Sequence, residues 1–226
     1  MTVRFSLSAI VVLLVFLAAG SARAQVPVPE NYGDAMRWYE DAAKAGDPKA
    51  MFYLGLTLER GLQGQESPEE AVAWYRRAAE KGYALAQFKL GLLYQFGQIV
   101  ELDTNAAREW YEKAAAQDVP DAQYNLAVLL ELDEAGPEVI RRAIALYKRA
   151  ARHGIAEAYQ NLGGLYARGE QVEQDLVEAL KWLLLAEDAG LSQVAPLKAS
   201  VTRSLNEIEV RDARARAGRW KAREAN

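Results

Sequence analysis

The chain has 226 residues, no cysteine and one histidine, which excludes thiol chemistry, disulfide staples and lipid attachment through cysteine, so packing alone must hold the fold. Residues 25–190 carry 17 Lys and Arg against 27 Asp and Glu, a net of −10, whereas residues 191–226 carry 8 against 4, a net of +4. So acidic a body argues against nucleic acid as a partner.

The N-terminal segment reads as a secretory signal. Arg4 gives a positive start, Leu7 to Ala19 is apolar, and Ala22-Arg23-Ala24 has the small-x-small cleavage pattern. Cleavage is therefore expected between Ala24 and Gln25, leaving residues 25–30 as a short flexible lead. An uncleaved anchor is the alternative, but the apolar run is short of the ~20 residues that span a bilayer. The mature chain is expected to work outside the cytosol.

From there a 36-residue step organises everything. Trp38-Tyr39, Trp74-Tyr75, Trp110-Tyr111, Leu146-Tyr147 and Trp182-Leu183 follow one another at that spacing without insertion. So do Leu54, Leu90, Leu126 and Leu162, and the small residues beside them, Gly55, Gly91, Ala127 and Gly163. Gly46, Gly82, Asp118, Gly154 and Gly190 close the units. A period in the mid-thirties is the length of a helix–turn–helix unit. Within one unit Ala50, Leu54 and Leu58 lie at i, i+4 and i+8, on a single helical face. The small residue after each leucine predicts a close approach of the second helix.

Gly61, Gly97 and Gly169 read as ends of first helices. Ser67-Pro68-Glu69-Glu70 predicts a capping box, with Ser67 accepting from the Glu70 amide and Glu70 reaching back. Asp175 and Glu178 repeat that spacing, and Asp103 is an N-cap alone. In the third unit Asp133-Glu134-Ala135-Gly136-Pro137 replaces the usual loop and Val139 stands at the cap position, so that turn is expected to differ in shape. The units run 31–46 (a half repeat, as N-terminal cap), 47–82, 83–118, 119–154 and 155–190. In residues 191–226, Leu205, Ile208, Ala213, Ala217 and Trp220 predict a helix covering the last unit.

These residues resemble the Sel1-like repeat family, a branch of the tetratricopeptide-like solenoids. The second unit carries the match through Ala86-Gln87-Phe88-Lys89-Leu90-Gly91-Leu92-Leu93-Tyr94, Gly97, Val100, Asp103, Ala107 and Trp110 to Ala115. The fourth carries it through Ala158, Asn161-Leu162-Gly163, Tyr166, Gly169, Val172, Asp175, Ala179, Trp182 and Gly190. The resemblance implies an all-α protein, a right-handed superhelix of about eleven helices that scaffolds other proteins. A cysteine-rich branch is linked to β-lactam hydrolysis; without cysteine, that activity is not carried over.

By analogy with tetratricopeptide stacks, the first helices line a concave groove. The expected partner-binding columns are Phe52, Phe88 and Tyr124, and Leu56, Leu92 and Val128, with Gln95 and Phe96 beside them and Lys49, Glu59 and Arg60 nearby. Aromatic residues anchor interfaces well. The competing reading is that the aromatic column is packing within the repeat. Arg211, Arg214, Arg216, Arg219, Lys221 and Arg223 make the tail basic, suited to weak contact with an anionic surface or simply to a solvated helix face.

No cofactor or metal is implied. His153 falls in the last turn of a helix, where it suits the helix dipole better than catalysis. Zinc ligands are too few, and no phosphate loop occurs. Carboxylates remain: Glu69, Glu70, Glu109, Glu112, Asp118 and Asp121 sit where caps and solvated faces need acids. A glycosidase needs two well-placed ones, so cell-wall glycan binding or hydrolysis stands as the alternative to a protein-binding scaffold.

Overall fold

A computed structural model describes residues 32–61, 67–133 and 136–224. The expected cleavage site at Ala22, Ala24 and Gln25, and the lead at 25–30, lie outside the described residues. Eleven α-helices, with no strand among the described residues, run as α1 Tyr32–Lys44, α2 Pro48–Glu59, α3 Pro68–Glu80, α4 Ala84–Phe96, α5 Thr104–Ala116, α6 Pro120–Leu132, α7 Pro137–Arg152, α8 Ala156–Arg168, α9 Leu176–Asp188, α10 Ala195–Arg203 and α11 Glu207–Glu224. Each helix packs on the next from α1 to α9, and α10 and α11 close onto α9. The result is a solenoid whose long axis crosses the helices.

The closing column turns the chain at each unit. Gly46, Gly82, Gly154 and Gly190 take positive φ, and Asp118 takes φ 59° in their place. A left-handed non-glycine residue costs roughly 1–2 kcal/mol. Asp118 offsets this by accepting hydrogen bonds from Arg149 Nη2 at 2.6 Å and Gln123 Nε2 at 3.1 Å. Asp103 and Asp175 cap as expected, accepting from Ala106 N at 3.0 Å and Glu178 N at 2.8 Å.

The capping box at Ser67 does not form. Its ψ is 72°, against 98° at Asp103, and its hydroxyl makes no cap hydrogen bond. Pro68 starts α3 instead, having no N–H to satisfy. Glu178 does not reach back either; Lys181 Nζ at 2.8 Å and Arg216 Nη1 at 3.4 Å hold it. The third unit's turn does differ: α7 begins at Pro137 behind Gly136 at φ 92° and runs for 16 residues where α5 and α9 run for 13.

Within each unit one tyrosine locks the pair of helices. Tyr75, Tyr111 and Tyr147 are fully buried and lie against the small residues of the preceding helix. A methyl added at Gly55 or Gly91 would stand 2.6 Å or 2.4 Å from the Cε1 of Tyr75 or Tyr111. Each phenol donates back to the end of the same helix: to Glu59 Oε2 at 2.5 Å, Gln95 Oε1 at 2.5 Å and Glu131 Oε2 at 2.8 Å. In the fourth unit both partners change together, to Leu183 and Ala167, so neither position has a polar side-chain group to satisfy.

Glu59 supports a further test. Partial burial works against its charge, but hydrogen bonds from Lys89 Nζ and Tyr75 Oη hold its carboxyl below the usual range. A carboxyl with a lower pKa folded than unfolded stabilises the fold above the unfolded value, about 4.3, and loses that contribution as pH falls through the folded value. Glu59→Gln is therefore expected to cost about 1 kcal/mol at pH 7, screened by its partial exposure, and progressively less as pH falls from the unfolded value through the lower folded one. Urea melts of both proteins across that range check it; a pH-independent difference would refute the ion-pair account.

The C-terminal cap forms as a helix, with one correction. Ala213 and Ala217 are buried against α9, and Trp220 meets Trp182 edge-on at 4.7 Å. Ile208, expected on the covering face, is 70% exposed.

Candidate partner-binding face

The expected site residues lie on α2, α4 and α6, the first helices of three successive units. The aromatic column is engaged in packing. Phe52 contacts Tyr75 at 5.6 Å between ring centroids, Phe88 contacts Tyr111 at 5.9 Å and Tyr124 contacts Tyr147 at 5.8 Å. Phe52 is only 8% exposed and does not line an open surface, because Tyr83 covers it as well, at 5.3 Å. Phe88 and Tyr124 are half-buried, as are Leu56, Leu92, Val128 and Gln95. Gln95 uses its carbonyl to accept from Tyr111. Glu59 is likewise engaged, while Lys49 and Arg60 are exposed.

What remains open is concentrated on α4 and α6. On α4, Leu85, Phe88, Leu92 and Phe96 fall at i, i+3, i+7 and i+11, one helical stripe. Its two ends are open, Leu85 at 42% and Phe96 at 58% exposed. On α6, Tyr124, Val128 and Leu132 form the neighbouring stripe, and Leu132 is 72% exposed. Leu85 and Leu132 were missed in the sequence. The 36-residue step from Phe96 points to Leu132, and the helical spacing from Phe88 points to Leu85, so the signal was there.

Beyond Phe96 the chain reverses at Gly97, φ 63°, and passes Ile99 at φ 65°. A β-branched residue in that region is a strained outlier. The loop also presents Leu102, 61% exposed, and a Cβ at Gly97 would meet the Leu102 Cβ at 3.1 Å. The flanking units are polar at the corresponding helix ends, Arg60 and Arg168, so the apolar surface belongs to the middle units.

Where a described carboxyl is displaced from its ordinary range, it is displaced downward: Asp118 by the hydrogen bond from Arg149, Glu138 by that from Arg141, and Glu59 as above. A general acid needs the opposite shift. Glu112 is paired with Arg142 at 2.8 Å. No group of three or more His, Cys, Asp or Glu able to hold a metal occurs among the described residues. His153 is the exposed C-cap residue of α7. No helix among the described residues is long and apolar enough to cross a membrane.

The repeat itself decides the family. A model of the Sel1 repeat matches five consecutive segments: residues 21–47, 48–83, 84–119, 120–155 and 156–191. The chain belongs to the Sel1 repeat family. Among solved structures, a Sel1 repeat protein from Oxalobacter formigenes is similar at TM-score 0.64 and 29% identity, over 88% of this chain and 80% of that one. The protective antigen c5321 of uropathogenic Escherichia coli strains, which displays the SLR fold, is similar at TM-score 0.52 and 24% identity, over 85% of this chain and 49% of its own. This Sel1-repeat chain thus spans about half of that antigen's length, and the likeness speaks for the fold alone. A comparison with curated proteins finds no match. Sel1-repeat proteins are in general protein–protein interaction scaffolds.

Proposed function

We propose that this Sel1-repeat protein is an exported, non-enzymatic scaffold that holds a segment of another protein across the first helices of its middle units. The observation that carries the reading is the paired stripe on α4 and α6, with Leu85, Phe96 and Leu132 open to solvent. Buried aromatic and aliphatic anchors dominate binding energy at protein interfaces, and exposed contiguous apolar surface on a folded chain marks such sites. Phe88, Leu92, Tyr124 and Val128 form its half-buried floor, with Phe88 backed by Tyr111 and Tyr124 by Tyr147. A pre-organised floor reduces the ordering cost of binding. Glycan hydrolysis draws no support from the carboxylates. Export rests on the signal-like pattern of residues 1–24; the periplasm, or the exterior beyond it, is the compartment it implies, with envelope signalling, secretion or assembly as the setting.

The test is crosslinking and tagged capture of the chain from its own envelope, read by mass spectrometry. One protein recovered in fixed ratio, with the captured chain beginning at Gln25, is the expected result. The double substitution Leu85→Ser and Leu132→Ser is expected to lower recovery at least about tenfold, the loss of two anchors of a kcal/mol or more each. Its thermal midpoint should stay close to the parent's, since both side chains already face solvent. Undiminished recovery would move the site elsewhere on the molecule.

A further inference from the structure

Two surfaces of this chain complement one another yet sit apart on it. The first is the edge where α4 and α6 end: Phe96, Ile99, Leu102 and Leu132, exposed by 42–72%. Its charged neighbours in sequence are acidic: Glu101 and Asp103 flank Leu102, and Asp133, which Arg108 holds at 2.7 Å, follows Leu132. The second is the outward face of α11. There Ile208 stands exposed beside Glu207, followed by Arg211 and Arg214, and by Arg219, which lies 3.9 Å from Asp212. The remaining cations are held more closely, Arg216 by Asp212 and Glu178 and Lys221 by Asp188. One surface is apolar with an acidic rim; the other is basic with an apolar end.

Within one chain α11 packs on α9, and α7 and α8 stand between α9 and the α6 edge. The tail is therefore held away from the edge of its own copy. From Ile208 to Arg219 the outward face of α11 is about 16 Å long at 1.5 Å per residue, enough to lie across two helix ends spaced by roughly 10 Å. We propose that the chain self-associates head to tail, with the α11 face of one copy seated on the Phe96–Leu132 edge of the next. The charge division of the sequence, −10 in the body against +4 in the tail, orients the encounter. Each copy offers one edge and one tail. The contact is heterologous, and it builds an open row or a closed ring, not a two-fold dimer.

The test needs no outside partner, so its outcome is independent of scaffold function. The full chain, as its host processes it, is examined by sedimentation velocity over a rising concentration series. Two variants are compared: a tail variant, Arg211→Glu with Arg214→Glu, and an edge variant, Phe96→Ser with Leu132→Ser. Circular dichroism confirms that each folds. The parent is expected to form species larger than a dimer, with association weakened at least about tenfold between low and high salt as charges are screened. Each variant alone is expected to be monomeric. Mixed, they should form a one-to-one dimer and nothing larger, because one intact edge meets one intact tail. A parent that stays monomeric at every concentration overturns the proposal. So does a tail variant that associates as the parent does, and this variant decides even if the edge variant fails to fold. Association without a dimer in the mixture would likewise sink it.

Discussion

Replacing Gly91 by valine is expected to cost about 3 kcal/mol or more of folding stability. An added Cβ would lie 2.4 Å and 2.5 Å from Cε1 and Cδ1 of Tyr111, both in a ring with no exposure of its own. Tyr111 cannot swing aside cheaply, because its hydroxyl donates to Gln95 and its ring lies against Phe88. Overpacking typically costs 1–3 kcal/mol per intrusion, and valine adds branching on top of the first clash. Gly91→Ala is the milder case, since alanine regains about 1 kcal/mol of helix propensity. The third unit shows that the geometry has some give: Ala127 occupies the same column opposite Tyr147. Chemical denaturation measures the cost. A double-mutant cycle with Tyr111→Ala isolates its cause, since the penalty at Gly91 should largely vanish once the ring is gone. A penalty that persists would place the strain in the backbone.

Trp220→Ala is expected to cost about 3 kcal/mol and to loosen the end of the solenoid first. Trp220 closes on fully buried Trp182, and the Lys181 ammonium lies 3.8 Å from the Trp182 centroid and 5.1 Å from that of Trp220. Losing the indole leaves a cavity beside Trp182 and removes one of the two rings that face a partly buried cation. Burial already lowers the Lys181 pKa against the raising effect of Glu178, so this charge has little solvent to fall back on. In a stack where each unit touches only its neighbours, a damaged cap exposes the last interface while the rest stands. Hydrogen exchange should show protection falling in α9 to α11 before α2 to α6. A uniform loss along the chain would mean that the solenoid unfolds as one unit.

The repeat, its period and its closing turns were legible because each is a local demand written four or five times over. A glycine column marks where the backbone must turn left-handed, and a small residue at fixed spacing marks where a helix must come close. The joint change of Tyr to Leu183 and of the acid or amide to Ala167 was also in the sequence, though its meaning appears only once Tyr75 is seen donating to Glu59. What the sequence could not settle was the side-chain direction at the margins. Ser67 has the right residue for a cap but the wrong ψ. Phe52 and Phe88 share a column, yet Tyr83 covers Phe52 and leaves Phe88 partly open. Ile208 looked like cap interior and faces water.

By itself the sequence determined an all-helical repeat stack, where its helices begin and end, and an acidic body with a basic tail. Those follow from backbone conformation, helical period and charge count, which need no partner to be read. Only the tertiary structure decided which of the apolar residues are spent on holding units together and which are left to meet something else. That division depends on what each neighbouring helix covers, and a neighbour 36 residues away is packed against its predecessor only in the folded chain.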